Sequence, residues 1–350
     1  MSLFKKRLAY YRKIKQEKED GKFHFIPFKP YFPKFSKYLH GIYPSSYVLL
    51  SAFSGMGKSK FARYAFCRLP LHFASKNKGV KVTVIINALE ETKEEVIDHL
   101  INSSASNKGI NTNWATLRGF SNDVVNDEQL DKLDEIDFSM YEENLHVIDE
   151  SNTFGIYKYV RNYMNTIGTF YDFDDKPIEG EFKKNQSWAR YEADDPNHFV
   201  ILIIDHLSLI STNTGKTHYQ TLKDFSANDI RRKMSLKMGL CCVVVQQHYA
   251  TSGKKQFTSS GKPIIEALIP TPDHLGDMRN SHRAATVHIA LFDPQIYGID
   301  DMYGWQVPDK PVRTVHLLKN RYTGNAGIFV PMWFDGDKEK FKEIKINNNN

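Results

Sequence analysis

The sequence predicts an α/β protein with a largely parallel central sheet, a C-terminal antiparallel hairpin and a short basic helix in front. Three observations carry this expectation. First, apolar, β-branched runs recur with helical segments between them: "YVLLSA" (47–52), "VKVTVIINA" (80–88), "HFVILIID" (198–205), "LCCVVVQQ" (240–247) and "TVHIALFD" (286–293). They are apolar on both faces, as buried parallel strands are. Second, the first run leads through "FSGMGKS" into a helical pattern, the strand–loop–helix context of a phosphate-binding loop. Third, "VRTVHLLKN" and "GIFVPMWF", joined by "RYTGNA", read as a hairpin at the sheet edge. Helices layered on such a sheet give an α/β sandwich.

The chain has 350 residues, 41% of them hydrophobic, enough for one large domain or one with a small appendage. No apolar run approaches the roughly 18 residues of a membrane span, and no signal-peptide pattern opens the chain. The expectation is a soluble, cytoplasmic protein without a membrane partner. Cys67, Cys241 and Cys242 suit a reducing compartment. As strand neighbours, Cys241 and Cys242 point to opposite faces and make a poor disulfide pair. No Cys/His spacing suggests zinc. Of the net charge of +6, residues 1–22 carry +5, from eight Lys/Arg and three Asp/Glu. A basic surface elsewhere must be local.

Taken in order, residues 1–22 read as a basic helix ending near Gly21, with Phe4, Leu8, Tyr11 and Ile14 in a narrow apolar stripe. So short a helix is marginal alone and needs a surface to pack on. Residues 23–40, "FHFIPFKPYFPKF" and its continuation, form a Pro/Phe-rich linker or a strap over the core. Residues 41–340 make the main domain. Within it, 171–197 is polar, charged and aperiodic, and reads as an inserted loop. Its Trp188 and Tyr191 either contact a base or partner, or pin the loop. Residues 249–276 hold Gly, Ser, Lys and Pro and read as a mobile loop, and 341–350 as a frayed tail.

The phosphate loop departs from G-x-x-x-x-G-K-[ST] only in having Ala52 at the first glycine. The chemistry tolerates this. It needs inward backbone N–H groups, a lysine at the β/γ-phosphates and a hydroxyl on Mg²⁺. Gly55 and Gly57 supply the permissive backbone, Lys58 the charge and Ser59 the hydroxyl. Ser54, Gly55, Met56, Gly57, Lys58, Ser59 and Lys60 form the expected nucleotide cradle. Phe61, Ala65, Phe66 and Leu69 then share a helical face, which Pro70 is expected to end. Asp205, at the end of "HFVILIID", is the expected second magnesium ligand. Glu90 and Glu91 lie just past the second strand, at the carboxyl edge where α/β sheets hold ligands. Glu90 is the expected residue to orient or deprotonate the attacking water. The plainer reading of "EETKEE" is acidic residues favouring a helix N-terminus. "VVVQQHY" offers Gln246, Gln247 and His248, where an amide can sense the γ-phosphate.

With these residues in view, the chain resembles the motor domain of DnaB-family replicative helicases, RecA-like hexameric ATPases, over about residues 36–335. "HGIYPSSYVLLSAFSGMGKS" resembles the family's run into its phosphate loop. "ALEE" resembles the segment carrying the catalytic glutamate, here Glu90. "LIIDHLSLI" resembles Asp-Tyr-Leu-Gln-Leu and gives Asp205, and "VVVQQHY" resembles Ser-Gln-Leu and gives Gln247. "LGDMRNS" resembles Asp-Leu-Arg-Glu-Ser and gives Asp277 and Arg279. "LLKNRYTGNAG" resembles Lys-x-Arg-x-Gly and gives Lys319 and Arg321.

The resemblance implies ATP and Mg²⁺ as cofactors, with Arg279 counted among the nucleotide-contacting residues. Lys319 and Arg321 would reach a neighbouring subunit's γ-phosphate, where a trans arginine is worth about 10³ to 10⁵ in rate. The implied partners are single-stranded DNA, other copies of this chain in a hexameric ring, and a primase or loader. No N-terminal helical or primase domain precedes the motor here, which suggests a phage or plasmid helicase. The basic helix resembles the family's linker helix. The alternative for it is a nucleic-acid or membrane-surface contact. For DNA, two loops are expected to track the backbone, one with Lys216 and one with Lys254, Lys255 and Lys262. The competing functions are a RecA- or KaiC-like ATPase that forms filaments or rings without unwinding, and a non-hydrolysing DNA-binding or loader module.

Overall fold

Each apolar run named above forms a strand in the computed structural model, which describes residues 2–183, 186–249 and 256–344. In chain order the strands of the main sheet are β1 (Tyr47–Ala52), β2 (Lys81–Ala88), β3 (Leu145–Ile148), β4 (His198–Asp205), β5 (Cys241–Gln247), β6 (Val287–Phe292), β7 (Val312–Asn320), β8 (Ile328–Asp335) and β9 (Lys340–Glu343). Their spatial order is β9-β8-β7-β6-β1-β5-β4-β2-β3. From β3 to β6 every pairing is parallel, and from β6 to β9 every pairing is antiparallel.

The parallel strands are buried on both faces, so alternate residues feed two separate cores. In β2, Val82, Val84 and Ile86 join one core and Ile85 the other. Cys241 and Cys242 divide in the same way and remain free thiols. Each such apolar side chain contributes about 1.5–3 kcal/mol on burial. No helix among the described residues is long and apolar enough to cross a membrane.

Residues 23–40 are a strap. Ile26, Phe28, Phe32, Phe35 and Leu39 are at most 2% exposed and belong to the first core. Phe32 stacks on Phe61 and Phe28 meets Phe66 edge-on. The amides of Lys34 and Phe35 both donate to the Glu343 carboxylate at 2.7 Å. Ahead of it, helix α1 (Leu3–Glu19) is capped by Ser2 and stops before Gly21, which has φ +76°. It buries none of its residues, and Leu3 and Phe4 are about four-fifths exposed.

Several expectations change. The phosphate-loop helix does not end at Pro70. Helix α2 (Lys58–Arg63) runs on through a π turn (Tyr64–Arg68) into Leu69–Lys76. The π turn shifts the hydrogen-bond register just where proline lacks a donor. The hairpin β7–β8 is not at the sheet edge, because β9 pairs outside β8. The "KFKE" of β9 is too short and polar to stand out as a strand. The segment expected as a frayed tail from 341 therefore opens in strand, and residues 345–350 lie outside the description. The four-residue edge strand β3 was hidden for a similar reason.

Last, 171–197 is not wholly irregular. Arg190–Ala193 pairs with Gly168–Tyr171, and the aromatic residues pin it. Trp188 is buried and its Nε1 donates to the Tyr157 hydroxyl at 2.8 Å. The Tyr191 hydroxyl reaches the carbonyls of Met164 and Ile167. In the later loop, residues 256–276 hold a Phe257–Pro263 bridge and a turn of helix at Ile265–Leu268.

Candidate functional site

The carboxyl ends of β1, β2, β4 and β5 lie level, and the sheet register brings their loops together. Ala88 pairs with Asp205, and Ala52 with Gln247. The amide of Leu89 donates to the Asp205 carbonyl, and that of His248 to the Ala52 carbonyl, each at 2.8 Å. Ala52 is the last residue of β1 and fully buried in ordinary strand geometry, so nothing there demands glycine. The glycines that matter are later. Gly55 and Gly57 have φ of +74° and +85°. A Cβ on Gly57 would also meet the Phe334 ring at 3.0 Å.

Helix α2 opens at this loop with its free N–H groups toward the crevice, an anion site by construction. Lys58 is buried, and its Nζ donates to the Phe53 carbonyl at 3.2 Å. Burial lowers its pKa, against the pull of Glu90 and Asp205. Asp205 is buried too. Desolvation raises its carboxyl to about 6 despite the Ser59 hydroxyl and Arg63, with Glu90 and Glu91 adding repulsion. Its Oδ1 has no hydrogen-bond partner among the described residues. A buried, unpartnered carboxylate oxygen beside a hydroxyl suits a hard divalent cation, which Mg²⁺ sites complete with water and phosphate oxygens. Among the described residues no cluster of three or more His, Cys, Asp or Glu offers an all-protein cage.

Glu90 and Glu91 take different surroundings. Glu90 is partly exposed, and its Oε1 lies 3.0 Å from His206 Nε2. The His206 ring is held in turn by the Ser208 hydroxyl at 3.0 Å. Burial lowers the His206 pKa, and Lys58 lowers it further against the pull of Glu90. The neutral ring can donate from Nε2 while Nδ1 accepts from Ser208. Glu91 instead pairs with the buried Arg63 of α2. Arg63 also binds the fully buried Glu339 at 2.6 Å, and His99 stands 3.4 Å from Glu339. This network joins α2, helix α3 (Lys93–Asn107) and the β8–β9 turn behind the crevice. His206, Arg63 and Glu339 were missed in the sequence. Only the long-range fold joins positions 63, 91 and 339.

The other expected residues are spread around the crevice. Ser54 and Gly55 are exposed, and Met56 is buried with its carbonyl accepting from Arg313 Nε at 3.0 Å. Lys60 Nζ donates to the Gly336 carbonyl at 2.8 Å. Gln247 is half-buried. Its neighbour His248 is buried, packs edge-on against Phe53 and lies 2.8 Å from the Ser51 hydroxyl.

Arg279 sits 3.6 Å from Asp273. It lines a basic depression with Tyr219, Lys223, Gly276, Asn280 and Arg283, to which no phosphate-loop residue contributes. The side chain of Asp277 lies outside the description. Lys319 and Arg321, at the end of β7, donate to carbonyls at the C-terminus of helix α4 (Arg279–Ala284). Lys216 pairs with Asp224 at 2.6 Å, and Lys262 is exposed. Lys254 and Lys255 lie outside the described residues.

By sequence the chain matches no family model and no curated protein. By structure it is similar to a solved ATPase domain of the DnaB-like helicase type, at TM-score 0.66 and 17% identity, over 98% of this chain and 99% of that one. It is also similar to a DnaB-like replicative helicase described with its interactions with primase. That match has TM-score 0.62 and 17% identity, over 99% of this chain and 67% of that one. The nine-stranded sheet with its phosphate loop at the carboxyl edge is therefore the RecA-like fold of DnaB-type helicase ATPase domains.

Proposed function

We propose that this chain is the motor of a ring-forming, ATP-dependent replicative DNA helicase that hydrolyses ATP at subunit interfaces. The observation that carries the reading is the convergence of Lys58, Ser59, Glu90 and Asp205 on one sheet edge, with a buried Asp205 oxygen unpartnered among the described residues. In this reading the backbone around Gly55 to Ser59 cradles the phosphates and Lys58 neutralises their charge. Mg²⁺, held by Ser59 and Asp205, supplies electrostatic stabilisation of the transferring phosphoryl group. Glu90, steadied by His206, orients the attacking water. Lys319 and Arg321 of one copy complete the site of the next.

Self-assembly has physical support beyond the hairpin. Helix α1 carries an unburied apolar stripe on a segment of charge +5. An apolar groove lined by Ile97, Ile101, Phe138, Tyr141, Leu145 and Val147 lies beside residues 127–143, which carry eight Asp/Glu and one Lys. We assign the groove to α1 of a second copy, on shape and charge. Single-stranded DNA is then the ligand of the loops holding Lys216 and Lys254, Lys255 and Lys262. A primase, which the DnaB-like neighbour engages, is the candidate partner class.

The test is ATP hydrolysis with and without single-stranded DNA, followed by separation of a forked duplex. DNA-stimulated hydrolysis with unwinding is expected. Hydrolysis without strand separation would instead mark an ATPase that forms rings or filaments without unwinding. DNA binding without hydrolysis would mark a loader-type module.

A further inference from the structure

A polar chain crosses the interior of the sheet where only apolar groups are expected. His248 Nε2 lies 2.8 Å from Ser51 Oγ, and Ser51 Oγ lies 2.7 Å from His288 Nε2. His288 Nδ1 lies 2.8 Å from His282 Nδ1. Ser51 and His288 are fully buried and His248 nearly so. These residues belong to β5's exit, β1, β6 and α4, so the chain runs through three adjacent strands. One end abuts the nucleotide crevice, where the His248 ring packs on Phe53, whose carbonyl receives Lys58. At the other end the carbonyl of His282 accepts from Lys319 Nζ at 2.6 Å, and that of Arg283 accepts from Lys319 and Arg321 at 3.1 and 3.0 Å. Lys319 is also the register partner of His288, and the β6–β7 ladder shifts immediately after that pair. Such irregularities recur beside active sites, where they re-aim a side chain.

The chain has two polarities, because every link shares one proton. If His248 donates to Ser51, then Ser51 donates to His288 and His288 to His282. His248 Nδ1, which has no partner among the described residues, is then a bare acceptor. In the reverse polarity it is a buried N–H with nothing to bind, the costlier defect. Burial lowers the pKa of His248, His288 and His282, which keeps all three rings neutral and the chain able to invert.

We propose that Ser51 and His288 are positioning residues that tie the His248 end of β5 to the Lys319/Arg321 pair. Nucleotide at a subunit's own site then sets the finger that this subunit offers to its neighbour. A ligand group that gives His248 Nδ1 an acceptor favours the reverse polarity, which reorients His282 and releases the pair from the α4 carbonyls. This rests on the trans-finger reading above.

The test uses mixed rings. Glu90→Gln subunits bind ATP without hydrolysing it and donate fingers, while Arg321→Ala subunits hydrolyse but lack a finger. Recovery of hydrolysis on mixing is the baseline, and its absence overturns both the trans finger and the coupling. Ser51→Ala in the finger-donating subunit should lower kcat about tenfold at unchanged KM for ATP. The same change in the hydrolysing subunit should leave kcat within about twofold. His288→Gln, which keeps a partner for Ser51 but cannot reach His282, reads the same loss if Ser51→Ala folds poorly. Recovery that is insensitive to both substitutions in the donor, or a loss that follows the hydrolysing subunit, overturns the coupling and leaves the trans finger standing.

Discussion

At the scale of single residues, the difference between a bland and a functional side chain lies in what surrounds it. Lys319 is an ordinary surface lysine in sequence. In the fold it is partly buried beside Arg321 and Arg231, and burial first, then those charges, lower its pKa to about 8. A finger must be protonated to stabilise transition-state charge, so hydrolysis by the assembled ring should decline as pH rises through about 8. Lys319→Arg, whose guanidinium stays charged, should hold its rate to higher pH. A pH–kcat profile of both proteins checks this, and superimposable profiles would remove Lys319 from the titration. Ala52 makes the converse point. It departs from the phosphate-loop pattern, yet it sits in regular strand and needs no glycine.

At the scale of elements, the β8–β9 turn acts as a clamp on the phosphate-loop helix. Glu339 at that turn binds Arg63, Lys60 reaches Gly336, and Phe334 lies against Gly57. Burial alone would raise the Glu339 carboxyl, but Arg63 outweighs it and holds the group below the usual carboxylate range. Glu339→Gln leaves a buried guanidinium without its main partner and should cost about 3–5 kcal/mol. A folded pKa below the unfolded one contributes stability above roughly pH 4.3 and loses it as pH falls through the folded value. Denaturant melts should therefore show the gap between wild type and variant narrowing in acid. A gap constant from pH 7 to pH 3 would mean that the loss is packing, not charge.

At the scale of the whole molecule, α1 separates folding from assembly. It buries nothing within its own chain, so Phe4→Asp with Leu8→Asp should leave thermal stability within a few degrees. The same pair should dissolve the ring and abolish interface-dependent hydrolysis. Sedimentation and an ATPase titration in protein concentration would show it, and a variant that still sediments as a ring would exclude α1 from the contact.

The sequence by itself determined the parallel sheet, the phosphate loop, and the strand ends bearing Glu90 and Asp205. These are local patterns: β-branched runs buried on both faces, and a Gly-rich turn read within a few residues. It also hinted at α1's need for a surface, through an apolar stripe with nothing nearby to cover it. Only the tertiary structure decided which carboxylate did what. Glu90 faces His206 while its neighbour Glu91 is drawn to Arg63, and that choice depends on Glu339, far along the chain. The edge strands β3 and β9 were likewise invisible, because four residues with one buried face carry too little periodicity to read. The histidine chain from His248 to His282 is the clearest case. Its members are scattered from position 51 to 288, and only the stacking of β5, β1 and β6 side by side puts their ring nitrogens within hydrogen-bond reach.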